Sequence, residues 1–240
     1  MSKLDILAFA AHPDDTELSC AGTLASHIAM GYKAGVIDLT EGEMGTRGSV
    51  QDRRQEAASA SAILGLSIRE NLQLPDAKFR IDEGNLKAVV SAIRKYTPGI
   101  VLANAVHDRH PDHPRASQLI TEACFLAGLR KYETHDDEGK LQEPFRPNAV
   151  YHYIQSMYIT PDFVVDVSDF WDQKIEAIKA FKSQFFDPNS SEPETFVSTE
   201  GFFKLLESRA REYGYLIGVD YAEGFTVERF AGVKNLFDLI

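Results

Sequence analysis

The sequence predicts an α/β fold: a single domain over 1–240 on an open, mostly parallel, Rossmann-like sheet with helices on both faces. Two observations carry the prediction. Short apolar runs of the kind buried on both sides of a parallel sheet recur at 4–11, 34–39 and 100–105. Between them the apolar residues take helical spacing, and Gly31, Gly65 and Pro98 with Gly99 close the helical stretches. In such sheets ligands bind beyond the carboxyl ends of the strands, so the active site is expected there.

Residues 4–11 read as a buried strand, and 17–30 as a helix whose apolar stripe is Leu18, Ala21, Leu24, Ala25 and Ile28. With the strand at 34–39 they form a β-α-β unit, which implies a right-handed crossover. The loop "TEGEMGTRGS" follows, then helices at 50–64 and 83–96 and the strand "IVLANA" at 100–105. A helix at 114–129 leads into 131–147, rich in charge, Gly and Pro, which reads as an irregular surface excursion. Strands are expected at "AVYHYIQS" and "FVVDVS", helices at 170–185 and 199–213, and a last extended piece at "EGFTVERF".

Composition narrows the function. The 36 Asp and Glu against 25 Lys and Arg, a net charge of −11, disfavour a nucleic-acid binder, which needs cationic surface to displace counterions. Cys20 and Cys124 are the two cysteines, each in a helical stretch, so a disulfide framework and a CxxC metal site are both excluded. The run at 4–11 is too short to span a membrane, carries Asp5 and ends at His12 without a cleavage site, so a cytoplasmic protein without a membrane partner is expected.

Two strand ends carry the chemistry. The first runs into His12, Pro13, Asp14 and Asp15, and the third into Asp108, Arg109, His110, Pro111, Asp112 and His113. Adjacent carboxylates raise each other's pKa, so a cation belongs among them. Helix capping needs one acceptor and no histidine, and does not explain two such clusters. A catalytic zinc site takes three His or Asp/Glu ligands and leaves a position open, and His12, Asp15 and His113 can supply that set. Pro13 and Pro111 hold the preceding histidines extended.

"AHPDDTEL" together with "DRHPDH" resembles the paired signature of the LmbE-like, or PIG-L, zinc-dependent N-acetylglucosamine deacetylases, and is most similar to the bacillithiol-pathway branch acting on N-acetylglucosaminyl-L-malate. "TEGEMGTRGS", "RRQEA", "FKSQF" and "LIGVDYAEGF" extend the likeness over nearly the whole chain. The resemblance implies one Zn2+ per subunit on His12, Asp15 and His113, Asp14 as general base and His110 as oxyanion partner. Asp112 is then the carboxylate expected to keep His110 cationic. It also implies that Glu43, Met44, Thr46 and Arg47 line the sugar pocket, although many relatives have Asn in place of Arg47. The resemblance further suggests a homo-oligomer, often a hexamer.

Malate has two carboxylates, and guanidinium groups match them bidentately, so Arg53 and Arg109 are the expected partners. Arg54 and Arg115 read as surface ion pairs. The other histidines, His27, His107, His135 and His152, have no paired ligand spacing and read as structural, with a supporting place behind the site open to His107 and His152. A two-His-one-carboxylate iron site is a competing reading, but it would use H-x-D/E on a β-barrel. A non-catalytic sugar binder would lack a ligand or base, and none is lacking. Another N-acetylglucosaminyl conjugate or a chitooligosaccharide is the alternative substrate.

Overall fold

The computed structural model of the protein describes residues 3–185 and 191–239. Seven strands form one sheet in the order β3-β2-β1-β4-β5-β7-β6. They are β1 (Ile6–Ala10), β2 (Ala34–Asp38), β3 (Ile68–Asn71), β4 (Ile100–Ala103), β5 (Ala149–Tyr153), β6 (Phe163–Asp166) and β7 (Ala222–Val227). The first five run parallel, and β7 lies antiparallel between β5 and β6.

Every residue of β1 and β2 is buried, and the period-2 alternation sends their side chains into two different cores. Leu7 and Phe9 meet Val89, Val90 and Ile93 of α3 (Glu83–Tyr96) and Leu119 and Ile120 of α4 (Asp112–Ala127). On the opposite face Ile6 and Ala8 pack with Cys20 and Leu24 of α1 (Asp15–Ala29). That layer also holds α2 (Val50–Leu64) and α5 (Trp171–Lys179), joined through Ala57, Ala60, Ala177 and Ile178. The last helix, α6 (Glu200–Ile217), sets Tyr213 against Ala222 of β7 and Ile154.

Three expectations change. The strand β3, "IREN", has no apolar run because its Arg69 turns inward and pairs with Glu17 at 2.6 Å and Asp38 at 2.8 Å. The expected helix at 170–185 shortens to α5, because Glu56 of α2 accepts from both the backbone N–H and the hydroxyl of Ser183 and draws 180–185 out of helical register. Helix α6 runs on to Ile217, where Gly218 at φ 79° provides the left-handed stop. Residues 131–147 are largely irregular, as expected, and are tied to α3 by the Arg94 hydrogen bond to Thr134. Among the described residues no helix is long and apolar enough to cross a membrane.

Candidate metal and catalytic site

Both helices that follow the clustered strand ends start earlier than their apolar spacing suggests. α1 begins at Asp15 and α4 at Asp112, so Asp15 and His113 sit in first helical turns, at the carboxyl ends of β1 and β4. The turn into α1 is strained: Asp14 has φ 124°, outside the usual range for a residue with a side chain. Arg53 of α2 holds this turn, donating to the Pro13 carbonyl at 2.5 Å and to Asp14 Oδ2 at 3.2 Å. Burial pushes the Asp14 carboxyl up to about 7; the nearby Arg53 opposes the rise and the Asp15 charge adds to it.

Each histidine of the cluster has one ring nitrogen anchored. His12 Nε2 lies 3.1 Å from Asp76 Oδ1 and 3.5 Å from Asp112 Oδ2. His113 Nδ1 lies 2.5 Å from Asp108 Oδ2, whose other oxygen accepts the Met157 N–H. His110 Nδ1 accepts the Asp112 N–H at 3.3 Å. The opposite nitrogens of two of these rings meet at Asp15: His113 Nε2 is 3.1 Å from Oδ1 and His12 Nδ1 is 3.7 Å from Oδ2. Asn104 and Gln155 steady the Asp15 carboxylate, donating at 3.0 and 2.9 Å.

The donor set tests whether a cation fits. Burial lowers the His12 and His113 pKa values, yet hydrogen-bonded carboxylates outweigh it, holding His12 well above its usual value and His113 at about 9. Burial alone would raise Asp15, but His113 and His12 hold it well below the carboxylate range. The pocket thus concentrates negative charge that two imidazoles partly offset by protonation, a field a divalent ion satisfies equally. Two imidazoles backed by carboxylates and a third carboxylate between their open nitrogens match a zinc donor set. The His12, His110 and His113 rings, with centroids 4.6 to 5.6 Å apart, can also offer nitrogens to one ion.

His110 departs from expectation. The Asp112 carboxylate turns away from it, toward His12, the Ala77 N–H and Arg115, because α4 begins at Asp112 and points that side chain inward. Burial and the neighbouring His12 and His113 push the His110 pKa down. With Nδ1 accepting the Asp112 N–H, it is Nε2 that is left as the ring's donor atom, and the Asp112 backbone rather than its carboxylate makes the contact.

A cavity of about 370 Å³ opens over the cluster, in the size range of small-molecule sites. Met44, Arg53 and Arg109 line it. Glu43, Thr46 and Arg47 do not: Glu43 accepts the Asp76 N–H, Thr46 is exposed outside the cavity, and Arg47 is buried beside Glu192 and Gln184. Arg53 is also committed differently from its expected role, since Asp14 and the Pro13 carbonyl already engage its guanidinium. Arg109 is exposed and stacks 4.4 Å over the Phe196 ring. Asp76, Asn104 and Gln155 carry no motif and escape a reading of the sequence; a lone polar residue closing an apolar run, as in "VLAN" and "YIQ", is a faint signal for the last two.

His152 is buried in β5 between Ser117, the Asn104 carbonyl and Glu228, one step behind the residue that steadies Asp15. His107 is exposed.

The chain is 31% identical over 229 residues to the diacetylchitobiose deacetylase of Thermococcus kodakarensis, covering 91% of this chain and 81% of that one. It is 30% identical over 195 residues to 4-oxalmesaconate hydratase of Pseudomonas putida, 74% of this chain and 73% of that one. Among solved structures it resembles the conserved protein TT1542 from Thermus thermophilus, with 39% identity, a TM-score of 0.85, and coverage of 96% of this chain and 98% of the other. Residues 7–124 match the family model PIG-L, GlcNAc-PI de-N-acetylase. That span contains both strand-end clusters and Arg53, and the likeness to the chitobiose enzyme runs on through most of the remaining chain, so the protein belongs to the PIG-L family of de-N-acetylases.

Proposed function

We propose that the protein is a zinc-dependent amidohydrolase that removes the acetyl group from an N-acetylglucosaminyl conjugate, with the malate conjugate as its substrate. The observation that carries the reading is the pairing of a buried, Arg53-held carboxylate near neutrality, Asp14, with the His12, Asp15 and His113 donors at one cavity floor. A zinc ion on those donors would polarise the acetamide carbonyl and acidify a water. Asp14 accepts the proton of the attacking water as its oxygen adds to the carbonyl carbon. His110 Nε2–H donates to the oxyanion that develops. Asp14 then returns the proton to the amine nitrogen as the C–N bond breaks, releasing acetate and the free glucosaminyl amine.

Arg109 supports the malate assignment. Its guanidinium carbon lies 4.4 Å from the Phe196 ring centroid at the cavity wall, where its N–H groups match a carboxylate. In a protein of net charge −11 such a cation draws an anionic substrate to the cleft. The expected result is that Arg109→Ala raises KM for N-acetylglucosaminyl-malate about 10-fold or more, the loss of roughly one charge-assisted contact, and leaves KM for free N-acetylglucosamine nearly unchanged. An equal change on both would remove Arg109 from malate recognition.

The overall reading is tested by metal analysis together with acetate release from N-acetylglucosaminyl-malate, N-acetylglucosamine and a chitobiose, before and after chelation, alongside hydration of an unsaturated dicarboxylic acid. Acetate release lost on chelation and restored by zinc is expected. Hydration without acetate release overturns it, and preference for chitobiose moves the substrate to a chitooligosaccharide.

A further inference from the structure

Asp76 is a buried carboxylate in the loop after β3, apart from both histidine clusters in sequence, and the mechanism above makes no use of it. Its two oxygens do different work. Oδ1 faces His12 Nε2 at 3.1 Å, and Oδ2 accepts the Met44 N–H at 3.0 Å. Its own N–H donates to Glu43 Oε1 at 2.7 Å, which closes a ring between this loop and the turn at 42–45.

The alternative partner of His12 Nε2, Asp112, is more distant at 3.5 Å, and its oxygens are already taken by the Ala77 N–H and Arg115. Of the two carboxylates that face His12 Nε2, Asp76 is thus the nearer, at hydrogen-bond distance and with Oδ1 turned to the ring. Orientation follows from that contact. An imidazole whose Nε2–H is fixed by a carboxylate presents an unprotonated, more basic Nδ1 to a metal, and here Nδ1 is the atom turned toward Asp15.

We propose that Asp76 is the positioning residue for His12: it fixes the Nε2–H tautomer so that Nδ1 is the ligating atom, and through Met44 it ties the pocket-lining turn at 42–45 to the metal centre. The proposal rests on the reading of His12 as a metal ligand. It also takes a side on the second group that could hold an ion, His12 with Asp76 and Asp112. In this account those carboxylates stand behind the ligating histidine and bind no ion of their own.

The test is zinc affinity, measured on the metal-free protein by competition with a chromophoric chelator, for the wild type, Asp76→Asn, Asp76→Ala and His12→Ala. Loss of the hydrogen-bonding partner behind a metal-bound histidine costs about 10- to 100-fold in metal affinity. That loss is expected for Asp76→Ala, with a smaller one for Asp76→Asn, which keeps an acceptor for Nε2–H. A wild-type stoichiometry of one ion is expected, together with a slowly exchanging His12 Nε2–H resonance in the zinc-loaded protein that disappears in Asp76→Ala.

Thermal melts of the metal-free variants separate this from unfolding, and Asp76→Asn, nearly isosteric, keeps the test open should Asp76→Ala fail to fold. Unchanged affinity and resonance in both variants, with only KM altered, would make Asp76 a substrate-binding group and overturn the inference while leaving the metal site standing. Two ions per chain would make Asp76 a ligand and overturn it as well. No zinc binding by the wild type, or full binding by His12→Ala, overturns the metal assignment itself and the inference with it.

Discussion

Replacing Asp14 by Asn leaves zinc binding and the fold intact and lowers acetate release by about 100- to 10,000-fold, the contribution of a positioned general base. Asn is the right probe for two reasons. It is among the side-chain-bearing residues that tolerate positive φ, so the turn at φ 124° survives the exchange, whereas Ala would add backbone strain to the loss of the carboxylate. Its amide carbonyl can also keep accepting from Arg53, which preserves the tie between α2 and the turn. What disappears is the capacity to take a proton. Metal analysis and steady-state acetate release on the same preparation check the result, and wild-type turnover by a zinc-loaded Asp14→Asn protein would remove Asp14 as the base.

A large stability effect is expected from Glu223→Ala. This carboxylate is buried in β7 and accepts from Lys174 Nζ at 2.6 Å, from the Thr23 hydroxyl and N–H at 2.7 Å each and from the Gly22 N–H at 3.0 Å. Removing it strands a buried ammonium and several donors. Breaking one side of a buried pair costs about 3–5 kcal/mol. At about 2–4 °C per kcal/mol for a chain of this size, the melting temperature should fall by roughly 6–20 °C. Lys174→Met should cost less, because Glu223 keeps its three remaining hydrogen bonds to α1. Calorimetry or denaturant melts of the two variants decide the order, and equal losses would mean that the α1 contacts contribute nothing measurable.

Strands β1, β2 and β4 were legible because they are largely buried on both faces, which leaves predominantly apolar runs at 4–11, 34–39 and 100–105. The edge strand β3 was not, since Arg69 satisfies two carboxylates from within it and breaks the pattern. The proposed metal donors stand out in the sequence for a local reason: each cluster concentrates its His and Asp residues within a few positions after one strand. Of the groups that orient those donors, Asp108 lies within "DRHPDH" itself, whereas Asp76 after β3, Asn104 after β4 and Gln155 after β5 come singly, and no spacing links them. Arg53 stands out in the sequence but reads there as a substrate group, because sequence does not reveal that Asp14 and the Pro13 carbonyl lie within its reach. The same limit explains Asp112, whose nearness to His110 in sequence conceals that its carboxylate faces His12.

The reversed strand β7 has a consequence for how such a protein can diversify. The proposed donors, the base and Arg53 all lie at or before His113, whereas α5, α6 and β7, which close the far side of the cavity, lie after position 170. The reacting groups and much of the surrounding wall are therefore inherited as separate stretches of gene. Drift or recombination in the later stretch can reshape what is admitted while the proton-moving parts stay fixed, and chimaeras joined in the irregular excursion at 131–147, where no residue lines the cavity, are the natural way to exchange one preference for another.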